Sequence, residues 1–160
     1  MAVDYAYPWS PLITQWKFQA APSLTRHLAA WLEHRSDWQA LRAQCTVTLP
    51  IPLSAARLRQ RGYQQAALLA QALECPDIHT QWLLRIRDTP PQSRQSRADR
   101  LRNLRGAFAL AGSLHPRIQG QTVLLVDDVM TTGATLHAAA QVVLAAGAAQ
   151  VHAVALARTP

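Results

Sequence analysis

The last third of the chain constrains the fold more than any other part. Thr122–Val126 is an unbroken run of β-branched residues and leucine, typical of a strand buried on both faces. A helix over about Ala134–Ala146 and a second buried strand over Val151–Ala157 follow it. Because consecutive parallel strands need a crossover connection, this strand–helix–strand order predicts an α/β fold with a parallel sheet.

The rest of the chain carries shorter signals, and no repeat or linker divides it. In chain order we predict a helix over Leu24–Ala43, a strand over Thr46–Leu49, an arginine-rich loop over Arg57–Tyr63, a helix over Gln64–Leu73, a strand over Gln81–Ile86, a long loop over Arg87–Arg105 and a short strand or hairpin arm over Ala107–Leu110. The residues up to Ala21 show no clear period. We expect one domain over residues 1–160, with residues 1–44 as an N-terminal extension and helix, and residues 45–160 as the core that binds a ligand.

The basic residues are unusual in kind and in distribution. Of sixteen basic residues only Lys17 is a lysine, and the formal net charge is +7. Between Arg57 and Arg105, ten arginines face four acidic residues, which places +6 of that charge in one segment. Because the planar arginine fork suits phosphate, this bias predicts polyanionic partners. A GC-rich genome, which favours arginine codons, is the alternative explanation of the arginine-to-lysine ratio.

Cysteine usage and hydropathy argue against two other classes of protein. Cys45 and Cys75 lie far apart without a Cys-x-x-Cys pair, so we expect neither a protein-held metal site nor a disulfide framework. The uncharged stretch Val129–Ala157 is long enough to cross a bilayer, but its glycine and glutamine residues favour a buried helix and strand. The N-terminus lacks a signal-peptide pattern. We therefore expect a cytoplasmic protein without membrane insertion.

The segment after the first buried strand has the features of a phosphate site. Ligands of open α/β sheets bind at the carboxyl ends of the strands, and a helix starts here. Free N–H groups at a helix start hold a phosphate dianion, threonine hydroxyls add donors, and glycine lets the backbone approach closely. The residues that we expect to bind phosphate are Val129, Met130, Thr131, Thr132, Gly133, Ala134 and Thr135.

Two carboxylates precede this turn. Asp127 and Asp128 follow the buried strand directly and would accept hydrogen bonds from the vicinal hydroxyls of a ribose. The acidic pair and the glycine–threonine turn together predict a sugar 5-phosphate ligand. The alternative is an N-capped helix beside two solvated aspartates.

The segment VLLVDDVMTTGATL, residues 123–136, resembles the phosphoribosyl-diphosphate (PRPP) signature of type I phosphoribosyltransferases. The remaining chain is similar to the ComF/GntX branch, which is linked with bacterial competence and DNA uptake. The similarity rests on LPIP at residues 49–52, RQRGYQQ at 59–65, RIRDT at 85–89 and LART at 156–159. The chain departs from the family in lacking its four-cysteine N-terminal zinc module. It also has Tyr63-Gln64 where Phe-Asn is usual.

The resemblance implies a Rossmann-like, type I phosphoribosyltransferase fold in which a parallel sheet is flanked by helices and residues 87–105 form a flexible hood. A plain exposed loop is the alternative for residues 87–105. It implies binding of PRPP or a nucleoside 5-monophosphate, with Mg²⁺ held mainly through PRPP, and transfer of ribose 5-phosphate to an unidentified acceptor. Asp127 and Asp128 would be the catalytic pair. Arg59 and Arg61 would hold pyrophosphate, and a solvated basic loop is the alternative for them.

A second function class stays open at this point. The chain could be a non-catalytic PRPP- or nucleotide-sensing protein, or a competence factor that binds single-stranded DNA or a protein of the competence machinery. Arg94, Arg97 and Arg100 are the candidate nucleic-acid contacts, since a basic segment attracts phosphate backbones. No aromatic row is interleaved with these arginines, which argues against single-strand binding.

Overall fold

The computed structural model describes residues 3–19, 21–87, 106–112 and 115–159. The greater part of the proposed hood, with Arg94, Arg97 and Arg100, lies outside these residues. In chain order the elements are β1 (Val3–Asp4), α1 (Trp9–Phe18), α2 (Leu24–Glu33), α3 (Ser36–Gln44), β2 (Val47–Pro50), α4 (Ala55–Arg61), α5 (Gln65–Ala72), β3 (Leu83–Arg85), β4 (Phe108–Leu110), α6 (His115–Ile118), β5 (Thr122–Met130), α7 (Ala134–Ala145) and β6 (Gln150–Arg158).

The predicted strand–helix–strand unit is confirmed. β5 and β6 pair in parallel, with Val123 opposite Val151, and α7 connects them. Among the described residues they form the centre of a four-stranded parallel sheet with the order β1-β6-β5-β2. β2 is the outermost of these strands and makes a single parallel bridge on its other side, from Thr48 to Ile78, so Pro50 ends it without breaking a central ladder. β5 extends beyond the predicted strand and includes both aspartates.

The sheet is buried on both faces, as the continuous apolar strands predict. Alternate residues of β5 point to opposite sides, so Leu124 and Val126 join one hydrophobic cluster while Val123 and Leu125 join the other. The first cluster includes residues of α1, α2, α3 and α5. The second includes residues of α6, α7 and the antiparallel pair β3–β4. The chain is therefore an α/β fold with a parallel sheet flanked by helices.

The N-terminal segment, which shows no clear period in the sequence, is built into this fold. α1 buries Ile13 and Trp16 completely in the first cluster, and β1 pairs with β6 at the sheet edge. The indole N–H of Trp16 donates to Thr25 Oγ1 at 2.9 Å, which joins α1 to α2. The sequence does not predict α1 and β1 because each of them buries few residues. Neither segment therefore shows a long apolar periodicity.

The prediction of one helix over Leu24–Ala43 is wrong. Two helices replace it, and the chain turns at His34 and at Arg35, whose φ of −79° and ψ of 129° are extended. The break lets Leu32 and Trp38 both reach the core, although six residues apart they would lie on different faces of one helix. Tertiary burial therefore overrides local helix propensity here.

The prediction of an arginine-rich loop over Arg57–Tyr63 is also wrong, since α4 covers most of it. Ser54 caps the helix by accepting a hydrogen bond from the Arg57 backbone N–H at 3.4 Å. Gly62 ends it in the left-handed conformation, with a φ of +77°. Both capping residues are present in the sequence, but the high arginine content of the segment favours the prediction of an exposed loop. The helix predicted next, α5, and the strands β3 and β4 are confirmed.

The uncharged stretch Val129–Ala157 contains α7 and most of β6. Among the residues that the structure describes, no helix has the length and apolar character needed to cross a membrane. Both cysteines are free and buried.

Candidate functional site

A polar cleft of about 160 Å³ lies where β2 and β5 end. This is the sheet edge at which parallel α/β proteins bind ligands. The polar and charged residues on its walls are Lys17, Arg57, Arg61, Gln65, Arg85, Asp127, Asp128 and Thr135. Four cationic side chains thus face two acidic ones, and the surplus of positive charge suits an anionic ligand.

A smaller hollow of about 20 Å³ adjoins the cleft at the start of α7. Gly133 precedes the helix with a φ of +75°, a conformation that side chains other than glycine rarely adopt. The first N–H groups of α7 have no acceptors within the helix. The residues that line the hollow are Asp127, Val129, Met130, Thr131, Gly133, Ala134, Thr135 and Leu136. A positive φ at Gly133 and free N–H groups at the start of α7 are backbone features on which the predicted phosphate site depends.

Thr132 differs from its neighbours in this turn. Its Oγ1 accepts a hydrogen bond from the Ala134 backbone N–H at 3.4 Å, and the residue is not part of the lining. Thr131 and Thr135 line the hollow. The predicted phosphate donors therefore divide into two that reach the hollow and one that shapes the turn.

Asp128 is an ion-paired carboxylate. Its Oδ2 lies 2.9 Å from Lys17 Nζ and 3.7 Å from Arg61 Nη1, and its Oδ1 accepts from the Val129 backbone N–H at 2.6 Å. The side chains of Asp128, Lys17 and Arg61 are only 13%, 15% and 10% exposed. The two cations hold Asp128 at the base of the cleft.

Asp127 has a different character although it is adjacent. Loss of water around its carboxyl, reinforced by the nearby charge of Asp128, raises the pKa of Asp127 to about 8. Its Oδ1 accepts from the Asp128 backbone N–H at 2.8 Å. In its protonated form the carboxyl of Asp127 can donate to a ligand oxygen, whereas an approaching cation would favour its ionised form.

Arg61 lies where the sequence places a cation, but Arg59 does not line the cleft. α4 carries Arg57 and Arg61 one turn apart on the side that faces the cleft, whereas Arg59 is exposed. Burial lowers the pKa of Arg61 and the charge of Asp128 opposes this, yet a guanidinium stays protonated at any ordinary pH. The Arg61 fork donates to Gln65 Oε1 at 3.0 Å, and its Cζ lies 4.8 Å from the centre of the Phe18 ring.

Sequence reasoning missed Lys17, Arg57, Gln65 and Arg85 as cleft residues. Lys17 lies in the last turn of α1, in a segment without clear periodicity. The one feature that distinguishes it in the sequence is that it is a lysine while the other fifteen basic residues are arginines. The end of α1 is held against α5 and the turn before it. The Tyr63 hydroxyl donates to the Trp16 carbonyl, and Gln65 Nε2 donates to the Lys17 carbonyl at 3.5 Å.

Gln64, where the family usually has asparagine, also makes a contact. Its side-chain amide donates to the carbonyl of Ile51 at 3.1 Å. Ile51 follows β2 and lines the cleft, so the longer side chain connects the start of α5 to the cleft wall.

The residues of the cleft fit a divalent cation that arrives with its ligand. Within the described ranges no group of three or more His, Cys, Asp or Glu side chains could hold a metal ion. Mg²⁺ prefers oxygen donors and keeps several of its waters, and one or two carboxylates beside substrate phosphates suffice to hold it. The carboxyl of Asp127 is the candidate protein donor, because Asp128 is already paired with two cations.

Comparison with known proteins agrees with this geometry. The sequence pattern of the phosphoribosyl transferase domain matches residues 58–160, which include α7, its preceding turn and both aspartates. The DNA utilization protein YhgH of Shigella flexneri is 38% identical over 98% of this chain and 70% of its own length. Competence protein F of Haemophilus influenzae is 34% identical over 96% of this chain and 69% of its own length.

Competence protein ComFC of Bacillus subtilis is 38% identical over 64% of this chain and 40% of its own length. The identity to YhgH and to competence protein F extends over the N-terminal helices as well as the sheet. The chain therefore belongs to the ComF branch of the phosphoribosyl transferase domain family.

Proposed function

We propose that this protein binds PRPP in the cleft and, with Mg²⁺, transfers its 5-phosphoribosyl group to an acceptor. The observation that carries the proposal is the juxtaposition, at one sheet edge, of the Gly133 turn, two aspartates and a wall of cations. PRPP has a matching order of groups: a 5-phosphate, two ribose hydroxyls and a pyrophosphate. A nucleoside 5-monophosphate carries the first two of these and is the expected product-like ligand.

Each part of the site has a role in this reaction. The N–H groups at the start of α7, with Thr131 and Thr135, hold the 5-phosphate. Asp127 and Asp128 bind the ribose hydroxyls and so orient C1. Arg57 and Arg61 face the pyrophosphate and stabilise the negative charge that grows on it. Arg59, exposed on α4, is the weaker candidate for that contact.

The chemistry is a displacement at C1 of the ribose. A nucleophilic atom of the acceptor forms a bond to C1 while the bond between C1 and the pyrophosphate oxygen breaks, and pyrophosphate leaves with the electron pair. Mg²⁺ would neutralise charge on the pyrophosphate when bound, with the Asp127 carboxyl as a candidate ligand. The residues around the cleft identify no particular acceptor.

The first experiment measures ligand binding by thermal stability. The chain is heated with PRPP, ribose 5-phosphate, AMP or pyrophosphate, each with and without Mg²⁺. A ligand at a hundred times its dissociation constant stabilises by roughly 2.7 kcal/mol, which gives a clear rise in melting temperature. Release of pyrophosphate from PRPP with a panel of nitrogenous acceptors then tests transfer. Failure of every ribose phosphate to stabilise the protein would refute the proposal.

A second candidate function is a DNA-linked role without catalysis. It is favoured by the names of the relatives, which include a DNA utilization protein and competence proteins. It is also favoured by the positive charge between Arg57 and Arg105. In this case PRPP or a nucleotide would act as a regulatory ligand of the same cleft, and single-stranded DNA or a competence protein would be the partner. Binding without pyrophosphate release would favour this candidate.

A further inference from the structure

We propose that Lys17 selects ligands that carry a pyrophosphate on the ribose, by exchanging its ion pair with Asp128 for one with that group. The inference rests on the proposed function and concerns the same cleft. In the free protein Lys17 pairs with Asp128. When a ribose hydroxyl replaces Lys17 as the donor to the Asp128 carboxylate, the Lys17 ammonium moves to the anionic oxygens of the pyrophosphate at C1.

The contacts and the low exposure of Asp128 favour such an exchange. One carboxylate oxygen lies 2.9 Å from Lys17 Nζ, and the other accepts from a backbone N–H at 2.6 Å. Each oxygen already has a donor and the Asp128 side chain is only 13% exposed, so an approaching ribose hydroxyl competes with Lys17 for the little open space beside Oδ2. The backbone donor belongs to β5 and cannot move away. Lys17 is a point charge on a flexible stem, so it is the donor that can leave.

Arg61, the other cation near Asp128, is less able to move. Its guanidinium donates to Gln65 Oε1 at 3.0 Å and lies over the Phe18 ring. Its separation from Asp128 Oδ2, 3.7 Å, is also longer than that of Lys17. Arg61 therefore stays in place as a fixed cation while the Lys17 side chain changes partner.

Lys17 has space and a reason to move toward the leaving group. It borders both the cleft and an adjoining hollow of about 80 Å³ that it shares with Phe18, Gln60 and Arg61. A pyrophosphate beside Arg57 and Arg61 would give its ammonium new anionic partners. Ribose 5-phosphate has no anionic group at C1. Its binding therefore breaks the ion pair between Lys17 and Asp128 and gives Lys17 no new partner. The exchange therefore favours PRPP over ribose 5-phosphate.

The residue that we propose selects PRPP lies outside the segment that matches the phosphoribosyl transferase domain. Lys17 precedes residue 58, where the phosphoribosyl transferase domain match begins. The hydrogen bonds from Tyr63 and Gln65 to the end of α1 hold the backbone of Lys17 in register with α5. The N-terminal helix thus supplies a binding residue as well as core packing.

The test compares dissociation constants measured by calorimetry on the full chain with Mg²⁺. The ligands are PRPP, ribose 5-phosphate and pyrophosphate, and the variants are Lys17→Met and Arg26→Met, the latter removing an exposed charge on α2. Lys17→Met should raise the dissociation constant of PRPP by about tenfold or more, as expected for a lost hydrogen bond to a charged group. Its ribose 5-phosphate affinity should equal or exceed that of wild type, and Arg26→Met should match wild type.

An unchanged ratio of PRPP to ribose 5-phosphate affinity in Lys17→Met would overturn this inference while leaving the proposed function standing. If wild type binds neither ligand, both fall. Asp128→Asn gives an independent measurement should Lys17→Met fold poorly. By weakening the pair it frees Lys17, so pyrophosphate alone should bind about two- to fivefold more tightly than to wild type. Equal or weaker pyrophosphate binding would overturn the exchange.

Discussion

The hydroxyl of Tyr63 donates a hydrogen bond to the backbone carbonyl of Trp16 and so joins the turn before α5 to the end of α1. A phenylalanine, usual for the family at this position, could not make this bond. Lys17, the residue after Trp16, forms the ion pair with Asp128. A substitution that looks mild in the sequence therefore holds together two sides of the cleft.

Replacing Tyr63 by phenylalanine should destabilise the protein and weaken its ligand binding together. Loss of this partly buried hydrogen bond is expected to lower the free energy of unfolding by about 0.5–1.5 kcal/mol. PRPP affinity should fall as well, because the end of α1 becomes less well held. Urea denaturation and calorimetry measure the two effects. Tyr7→Phe is the matched control, since Tyr7 is 88% exposed; an equal loss in both variants would contradict the prediction.

Replacing Gly133 by valine should abolish binding of PRPP, ribose 5-phosphate and AMP. The cost is conformational: an added Cβ would meet Met130 Sδ at an ordinary 3.5 Å, but a φ of +75° is unfavourable for a β-branched residue. The turn would change shape and its N–H groups would no longer converge. Pyrophosphate binding should survive, because that group is held by cations elsewhere in the cleft.

Gly120→Val provides the control for this strain. Gly120 has a similar φ of +73°, but it lies before β5, at the end of the strand opposite the cleft. This variant should lose stability without losing ligand affinity, as thermal melts with and without ribose 5-phosphate would show. If Gly133→Val binds ribose 5-phosphate with wild-type affinity, the proposal that this turn binds the 5-phosphate is refuted.

Removing either carboxylate should weaken PRPP binding while the fold persists. Asp127→Ala and Asp128→Ala should each cost on the order of 1.5–3 kcal/mol of binding free energy, because each loses a hydrogen bond to a ribose hydroxyl. Asp37→Ala, which removes an exposed acid on α3, should bind as wild type. Calorimetry of the double variant Asp127→Ala/Asp128→Ala is decisive: undiminished affinity would remove the site assignment.

The buried acid Asp127 predicts an unusual dependence of stability on pH. Its folded-state pKa of about 8 lies above its ordinary value of 3.8, so the folded protein binds this proton more tightly than the unfolded chain. The contribution to stability is full below about pH 4 and is lost as the pH rises toward 8, with a slope of at most about 1.4 kcal/mol per pH unit. Asp127→Asn should flatten this slope in urea denaturation series between pH 5 and pH 9. An identical slope in the variant would contradict the assignment.

If the arginine-rich segment binds single-stranded DNA, affinity should fall steeply with salt. The expected slope of log affinity against log salt is about −0.7 per phosphate contact. Charge reversal at Arg94, Arg97 and Arg100 should flatten the slope, as fluorescence anisotropy with a labelled oligonucleotide would measure. Absence of binding at low salt would exclude a DNA site on the isolated chain.

Local patterns in the sequence determined the centre of the fold and the backbone of the turn before α7. The short apolar runs of β5 and β6 are typical of strands covered on both faces, and the helix between them favours a parallel pair. The order of Asp127, Asp128 and Gly133 lies within one short segment, so its geometry follows from the strand end and the helix start. These features depend on neighbours in the chain, and the structure agrees with their predicted backbone arrangement.

Tertiary structure alone decided which cations face those aspartates. Arg57 and Arg61 reach the cleft and Arg59 does not, because α4 turns the run of arginines into a helix with two faces. Lys17 reaches Asp128 because α1 packs on the sheet through Ile13 and Trp16. A contact between residues so far apart in the chain depends on how whole helices pack on the sheet, which no local pattern encodes. The same packing brings the carboxyl of Asp127 out of water and raises its pKa.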